Sequence, residues 1–341
     1  MTVPAGIDAP ALSCWFAAHL PHVAQPLRFE LLSGGRSNLT YRVRCADGDS
    51  LVLRRPPLGH VLATAHDMAR EHTIISAVGH TAVPVPRALA LCTDETVNAA
   101  AFYVMSHCEG AVLHSADESA QLPAGERMSL SRQVAEVLAL LHAVVPEDVG
   151  LGDLGRREDY LGRQLRRWKR QWEQSKTREL PIMDDVAAEL EARKPEQIGS
   201  SIVHGDYRLG NMISADGGIV AVLDWELCTL GDPMADVGYL MNNWASPDEP
   251  SAGTSAPTQA GGFADRGEML EWYAAASGRD LSDIDYYRAF SYWRLAAISE
   301  GVLNRYVRGA MADAEETDTE VFREQVDFLS TSAAERLAAR S

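Results

Sequence analysis

Cysteine is scarce in this 341-residue chain, and the five present (Cys14, Cys45, Cys92, Cys108 and Cys228) never fall into a C-x-x-C spacing. That pattern excludes a disulfide-stapled scaffold and a cysteine zinc site, and it leads us to expect a reduced, cytoplasmic protein. No run of 18 or more apolar residues occurs, and the N-terminus has no charged stretch followed by an apolar one. Neither a membrane span nor a signal peptide is therefore expected. Positive charge is in deficit: 31 Lys and Arg stand against 48 Asp and Glu, for a net charge of −17. Nucleic acid and anionic membrane surfaces are disfavoured as partners. A cationic ligand would suit that charge, although solubility alone accounts for it. Internal repeats are absent. What the chain has in quantity is apolar surface, 46% of residues, enough for a large core in one two-lobed unit or two domains.

The stretch richest in chemistry runs from Ser201 to Glu226. A short apolar strand, Ser201 to Val203, delivers His204 and Asp206 into a loop, and Asn211 follows five residues after Asp206. Gly217-Gly218 then reads as the turn of a β-hairpin, since glycine accepts the positive φ that tight hairpin turns require. The second strand, Ile219 to Leu223, ends by presenting Asp224 at the same place. Taken singly, these polar residues could be turn caps. As an ordered set they match phosphoryl transfer from a nucleotide: one carboxylate orients the acceptor hydroxyl and takes its proton, while an amide oxygen and a second carboxylate hold Mg²⁺ against the phosphates.

The Asp206-x-x-x-x-Asn211 spacing equals that of the protein-kinase catalytic loop, with Asp224 where that family has its DFG aspartate. His204-Gly205-Asp206 in place of His-Arg-Asp, and Asp224-Trp225-Glu226 in place of Asp-Phe-Gly, resemble the aminoglycoside phosphotransferase and choline kinase family. Leu230-Gly231-Asp232-Pro233 continuing to Asp236 is also similar to that family. More narrowly, the stretch from His204 to Asn211 and Leu223-Asp224-Trp225-Glu226 look like the branch that includes the kinase-like domain fused to some acyl-CoA dehydrogenases. The resemblance implies an α+β, protein-kinase-like two-lobed fold. Residues 1–107 would form an antiparallel-sheet, nucleotide-binding lobe, and residues 108–341 a mainly helical catalytic and substrate-binding lobe. It implies an ATP- and Mg²⁺-dependent phosphotransferase acting on a hydroxyl of a small molecule, with Asp206 catalytic and Asn211 and Asp224 on the metal. A hydroxyacyl metabolite is slightly preferred as acceptor over an aminoglycoside; a nucleotide-binding pseudokinase or interaction module is the alternative from another class. Only 11 residues separate Asp224 from Asp236, too few for a protein kinase's activation segment.

The rest of the chain supplies the expected parts in order. Residues 8 to 24 read as a packing helix with Asp8 as N-cap. The segment from Ser33 to Thr40, with Gly34-Gly35 and Ser37, lies between two strands. It is either an ordinary hairpin or, with the catalytic loop downstream, a loop over nucleotide phosphates. In the resemblance the third strand, Leu51 to Pro57, carries the phosphate-binding cation, and alternation lets only one of Arg54 and Arg55 face the cleft. Alignment with the family favours Arg54; Glu71, on a helix from about residue 65 to 78, would hold it. The strand Ala101 to Met105 runs into the implied hinge, where Met105 borders the adenine and the backbone of Ser106 and Cys108 reads its edge. His142, ending a helix marked by Leu130, Val134, Leu138 and Leu141, reads as structural. Residues 157 to 176 form a basic amphipathic helix, either simply solvated or facing an anionic substrate or partner. Asp232 and Asp236 begin a helix that they can cap, and the resemblance adds that they buttress the catalytic loop. Residues 247 to 262 read as a mobile loop, and the aromatic-rich last third as helical core.

Overall fold

The protein is described from a computed structural model covering residues 3–33, 38–58, 67–250, 256–309 and 318–339. Helix α1 (Ala9–His19) starts where Asp8 accepts the Ala11 N–H, as the sequence suggests. It stops at His19, short of residue 24, because Pro21 lacks the N–H that would continue the ladder. Strands β1 (Arg28–Ser33), β2 (Leu39–Arg44) and β3 (Ser50–Arg55) lead to helix α2 (Met68–Val78). Then come β4 (Ala88–Cys92), a single helical turn α3 (Glu95–Asn98) and β5 (Phe102–Ser106). The five strands make one antiparallel sheet in the order β1-β2-β3-β5-β4. Side-chain alternation divides its residues between two cores. Tyr41, Val43, Leu53, Phe102 and Val104 pack against Leu12, Trp15 and Phe16 of α1, whereas Val52, Tyr103 and Met105 pack with Ile74 and Ile75 of α2.

The second of those cores continues without a break into a helical region. It holds α4 (Ala116–Ala120), α5 (Ala124–Ala143), α6 (Tyr160–Ser175), α7 (Pro181–Ala192), α8 (Met234–Asn242), α9 (Arg266–Ser277), α10 (Ile284–Val307) and α11 (Glu320–Ala338). Between α7 and α8 lie four short strands: β6 (Ser201–Val203), the β7 (Met212–Ala215)–β8 (Gly218–Val222) hairpin, and β9 (Thr229–Gly231), which pairs with β6. The hairpin turns at Asp216-Gly217, one residue earlier than Gly217-Gly218, with φ of 51° and 70°. Two successive positive φ angles define the type I′ turn that matches strand twist, and Asp tolerates the first of them. Tyr286, Phe290 and Trp293 of α10 are buried, so this part of the aromatic-rich segment is core. The loop expected over 247 to 262 is partly held: a 3₁₀ turn spans Pro257–Ala260, and the buried Thr258 hydroxyl donates to the Ala245 carbonyl at 2.7 Å. No helix among the described residues is long and apolar enough to cross a membrane, and none of the five cysteines forms a disulfide.

Candidate active site

Asp236 fixes the shape of the loop after β6. Buried in the first turn of α8, it accepts the His204 N–H at 2.6 Å on one carboxylate oxygen and the Gly205 N–H at 2.8 Å on the other. His142 adds Nε2 at 3.3 Å and is held from the far side by the Tyr273 hydroxyl at 2.8 Å. Burial opposes the Asp236 charge, but His142 and the loop N–H groups outweigh it and keep its pKa low. Asp236 thus serves the loop rather than capping its own helix, while Asp232 takes the Met234 N–H at 3.1 Å and the Tyr287 hydroxyl at 2.7 Å. Gly205 has φ +86°, and a Cβ there would lie 2.9 Å from Leu227, so the bend needs glycine.

On this frame Asp206 meets Asn211. The Asn211 amide donates to the Asp206 carboxylate at 2.7 Å and to its carbonyl at 2.9 Å, a bond pattern that leaves the amide oxygen uncommitted among the described residues. The other Asp206 oxygen accepts Arg208 Nε at 3.2 Å and the Tyr239 hydroxyl. Burial and the neighbouring Asp206 charge push the Tyr239 pKa up, so that hydroxyl stays a donor. Asp224 closes the group from β8. It sits at φ 64°, ψ 66°, a left-handed conformation that costs a non-glycine residue energy and recurs at functional positions. His204 Nε2 pairs with the Leu223 carbonyl at 2.9 Å, tying the two arms together.

The sheet contributes Arg54. Its NH2 lies 2.6 Å from Asp224 and its Nε 3.2 Å from Glu71. Burial opposes the Arg54 charge, but Glu71 and Asp224 more than offset it and raise its pKa. Glu71 is pushed up by burial, against the pull of Arg54; with a guanidinium beside it that never deprotonates, we read the pair as ionised. Arg55 points the other way, to the carbonyls of Gly6 and Asn98, because neighbouring strand residues face opposite sides. Arg54, which alignment with the family favours, is thus the one of the two that faces Glu71 and Asp224. Glu226 lies beside Asp224, and burial with that neighbouring charge raises its carboxyl to about 7.

The residues expected at a hinge follow from β5. Met105 is buried opposite Val52, on the same sheet face as Arg54 and Tyr103. Ser106 N–H donates to the Arg87 carbonyl at 2.9 Å, and the Ser106 hydroxyl accepts the Arg87 N–H at 2.9 Å. Cys108 is half-buried, and burial raises its thiol pKa. Ser37 lies outside the described residues. Glu71, Arg54 and Asp224 therefore form one ion-paired set, the Leu223 N–H donating to the Asn211 carbonyl at 2.8 Å ties it to the Asp206–Asn211 pair, and Met105 lies farther along the sheet face of Arg54. For a metal, Asp224 and the free Asn211 oxygen offer two hard ligands. No cluster of three or more His, Cys, Asp or Glu suited to a metal occurs among the described residues. Such a partial shell fits Mg²⁺, which commonly takes one or two carboxylates and completes its octahedron with phosphate and water.

The family model of the APH phosphotransferase enzyme family matches residues 28–272. This chain belongs to that family. It is a phosphotransferase of the small-molecule kinase type with a protein-kinase-like α+β fold. A provisionally assigned aminoglycoside phosphotransferase from Ralstonia eutropha is 33% identical with a TM-score of 0.81, the match covering 96% of this chain and 98% of that one. Mouse acyl-CoA dehydrogenase family member 10 is 33% identical over 306 residues, 86% of this chain but only 28% of that protein's length. The amicoumacin kinase solved with AMP-PNP, Ca²⁺ and Ami shares the fold at a TM-score of 0.60 and 16% identity, covering 95% of each chain.

Four contributors escaped sequence reasoning. Arg208 and Tyr239 bind Asp206, Arg294 donates to the Gly205 carbonyl at 3.2 Å and lies over the Tyr239 ring, and Tyr103 stands beside Glu71. Tyr239 had a readable signal, since it stands three residues after Asp236 and so shares its helix face. Arg294 had none, being one arginine in a long helix.

Proposed function

We propose that this phosphotransferase moves the γ-phosphoryl group of ATP to a hydroxyl of a small molecule. Asp206 orients the acceptor hydroxyl and takes its proton as the new O–P bond forms and the bond to the β-phosphate oxygen breaks. Arg208, Tyr239 and Asn211 fix the carboxylate, so little reorganisation is needed. Arg54, paired with Glu71 and Asp224, neutralises the phosphates. Asn211 and Asp224 would hold Mg²⁺, which supplies charge neutralisation along the phosphate chain. Met105, with the backbone of Ser106 and Cys108, would border the adenine, and Ser37 would cover the phosphates. Residues 1–107 form the nucleotide-binding lobe in this reading and residues 108–341 the catalytic and substrate-binding lobe. The observation that carries it is the meeting of Asp206, Asn211, Asp224 and Arg54 from three separate segments: the loop after β6, the end of β8 and β3.

For the acceptor we favour a hydroxyacyl metabolite, on the motif similarity to chains fused to acyl-CoA dehydrogenases and on the match to one such protein. The Ralstonia eutropha match and the net charge of −17 favour an aminoglycoside as second reading. Incubating the protein with ATP and Mg²⁺ against hydroxyacyl-CoAs, aminoglycosides, choline-like amines, macrolides and sugars, with the product mass measured, tests both. A gain of one phosphate on a hydroxyacyl compound supports the first. Phosphorylation of aminoglycosides alone overturns it.

A further inference from the structure

Arg208 stands two residues after Asp206 and opens the 3₁₀ turn Leu209–Asn211, in which the Asn211 N–H donates to the Arg208 carbonyl at 2.9 Å. Its side chain folds back over that turn. Nε donates to an Asp206 carboxylate oxygen at 3.2 Å, the same oxygen that takes the Tyr239 hydroxyl. Nη1 and Nη2 have no acceptor among the described residues. They are not sealed in the protein either, because the side chain is 37% exposed and lines, with Asp206 and Tyr239, a cavity of about 370 Å³. Gly210 makes room for this arrangement: a Cβ there would collide with Arg208 Nη1 and lie 3.2 Å from its Cζ. The space beside the loop is thus kept for the guanidinium.

Bracing Asp206 does not require an arginine. Tyr239 already holds the same oxygen with a neutral donor, whereas a guanidinium beside a base opposes proton uptake. What arginine offers and tyrosine lacks is a planar fork whose terminal nitrogens match a pair of phosphate oxygens. A phosphoryl group in transfer spreads its charge over three equatorial oxygens, and the protein's part is mainly to position it and offset that charge. Arg54 is committed to Glu71 and Asp224, while beside Asp206 the ends of Arg208 are uncommitted. We propose that Arg208 is a catalytic residue whose Nη1 and Nη2 grip two oxygens of the phosphoryl group as it passes to the acceptor, while Nε keeps Asp206 beside them. The bond from phosphorus to the β-phosphate oxygen breaks, the bond to the acceptor oxygen forms, Asp206 takes the hydroxyl proton, and Arg208 stays protonated throughout. The inference rests on the phosphotransferase reading and adds to its reacting centre a charge that binds the transition state more tightly than the ground state.

Two variants remove the contact by different routes. Arg208→Gln deletes the charge. Gly210→Ala, at a position without positive φ, keeps the charge but pushes the guanidinium aside, and the other near neighbour of that Cβ, His114, is exposed and able to move. Turnover is measured on each protein, together with calorimetric affinity for AMP-PNP and for ADP with and without aluminium fluoride, which mimics the phosphoryl group in transfer, all with Mg²⁺. The unmodified protein should bind ADP at least about tenfold more tightly when aluminium fluoride is present. Arg208→Gln should abolish that preference and lower kcat by about 10²–10³-fold, with the AMP-PNP Kd and the acceptor KM within about threefold. Arg208→Lys should recover part of kcat, since it keeps the charge without the fork. Gly210→Ala should lower kcat by about tenfold, with the same split between kcat and KM. Unchanged kcat in both variants would overturn the inference while the kinase reading stood. A lowered kcat with the aluminium fluoride preference intact would overturn it too, since Arg208 would then act only by holding Asp206. So would a weakened AMP-PNP Kd in both variants, which would place Arg208 in ground-state phosphate binding. An unmodified protein that phosphorylates nothing and shows no aluminium fluoride preference would overturn the phosphotransferase reading, and this inference with it.

Discussion

Between β6 and β8 the chain places chemistry in side chains, whereas between β5 and α4, in the reading proposed here, it places recognition in the backbone. In the same reading the catalytic loop needs a carboxylate at 206, an amide at 211 and a carboxylate at 224, and Asp236 holds its bend through two backbone N–H groups. No other residue types supply those groups at those positions. At the hinge, the Ser106 carbonyl and the Cys108 N–H would look the same whatever side chains they carried. The contrast shows where a function is written in residue identity and where it is written only in the path of the main chain.

Substitutions can break that contrast at graded strength. Asp224→Asn keeps the left-handed backbone, which asparagine tolerates, but removes the proposed metal carboxylate; turnover should fall by about 10³-fold and partly recover at high Mg²⁺, read in a metal titration. Arg54→Met should raise the nucleotide KM by roughly 10–100-fold, and it also strands buried Glu71, so a lower melting temperature should accompany it. On the structural side, His142 is kept below its ordinary value of 6.5 by burial, with Asp236 opposing. An imidazole depressed in the folded state is protonated more readily once unfolded. The contribution of His142 is therefore full above about pH 6.5 and is lost as pH falls toward its folded value, with a slope of at most about 1.4 kcal/mol per pH unit. Melting temperatures recorded between pH 8 and pH 5 should decline, and His142→Gln should flatten the decline while costing about 1–3 kcal/mol at pH 8 for its lost bonds. Smallest of all, Cys108→Ala should change the nucleotide KM by less than about twofold, since backbone recognition leaves ground-state binding intact. A large effect there would place side-chain chemistry at the hinge.

The same contrast explains what could be read from the sequence. His204 to Asp224 carried enough side-chain chemistry to announce a phosphotransferase and, with it, the sheet-and-helix architecture. The hairpin was legible but its turn was misplaced by one residue, because Asp216 accepts a positive φ almost as glycine does. Strand alternation alone could not say which of Arg54 and Arg55 faces α2; alignment with the family favoured Arg54, and it is Arg54 that meets Glu71 of that helix. Arg294 could not be read at all, because it reaches the Gly205 carbonyl from a helix 89 residues further along the chain. A contact assembled by tertiary packing leaves no local pattern to find.

The central claim, that Asp206 receives the acceptor's proton in a site whose nucleotide binding does not depend on it, is tested most directly by Asp206→Asn. With an acceptor identified, turnover should fall by about 10²–10⁴-fold, the range for removing a general base. The Kd for AMP-PNP with Mg²⁺, measured by calorimetry on the same preparation, should stay within about threefold, as expected for a group acting only in the transition state. Turnover close to that of the unmodified protein would contradict the account.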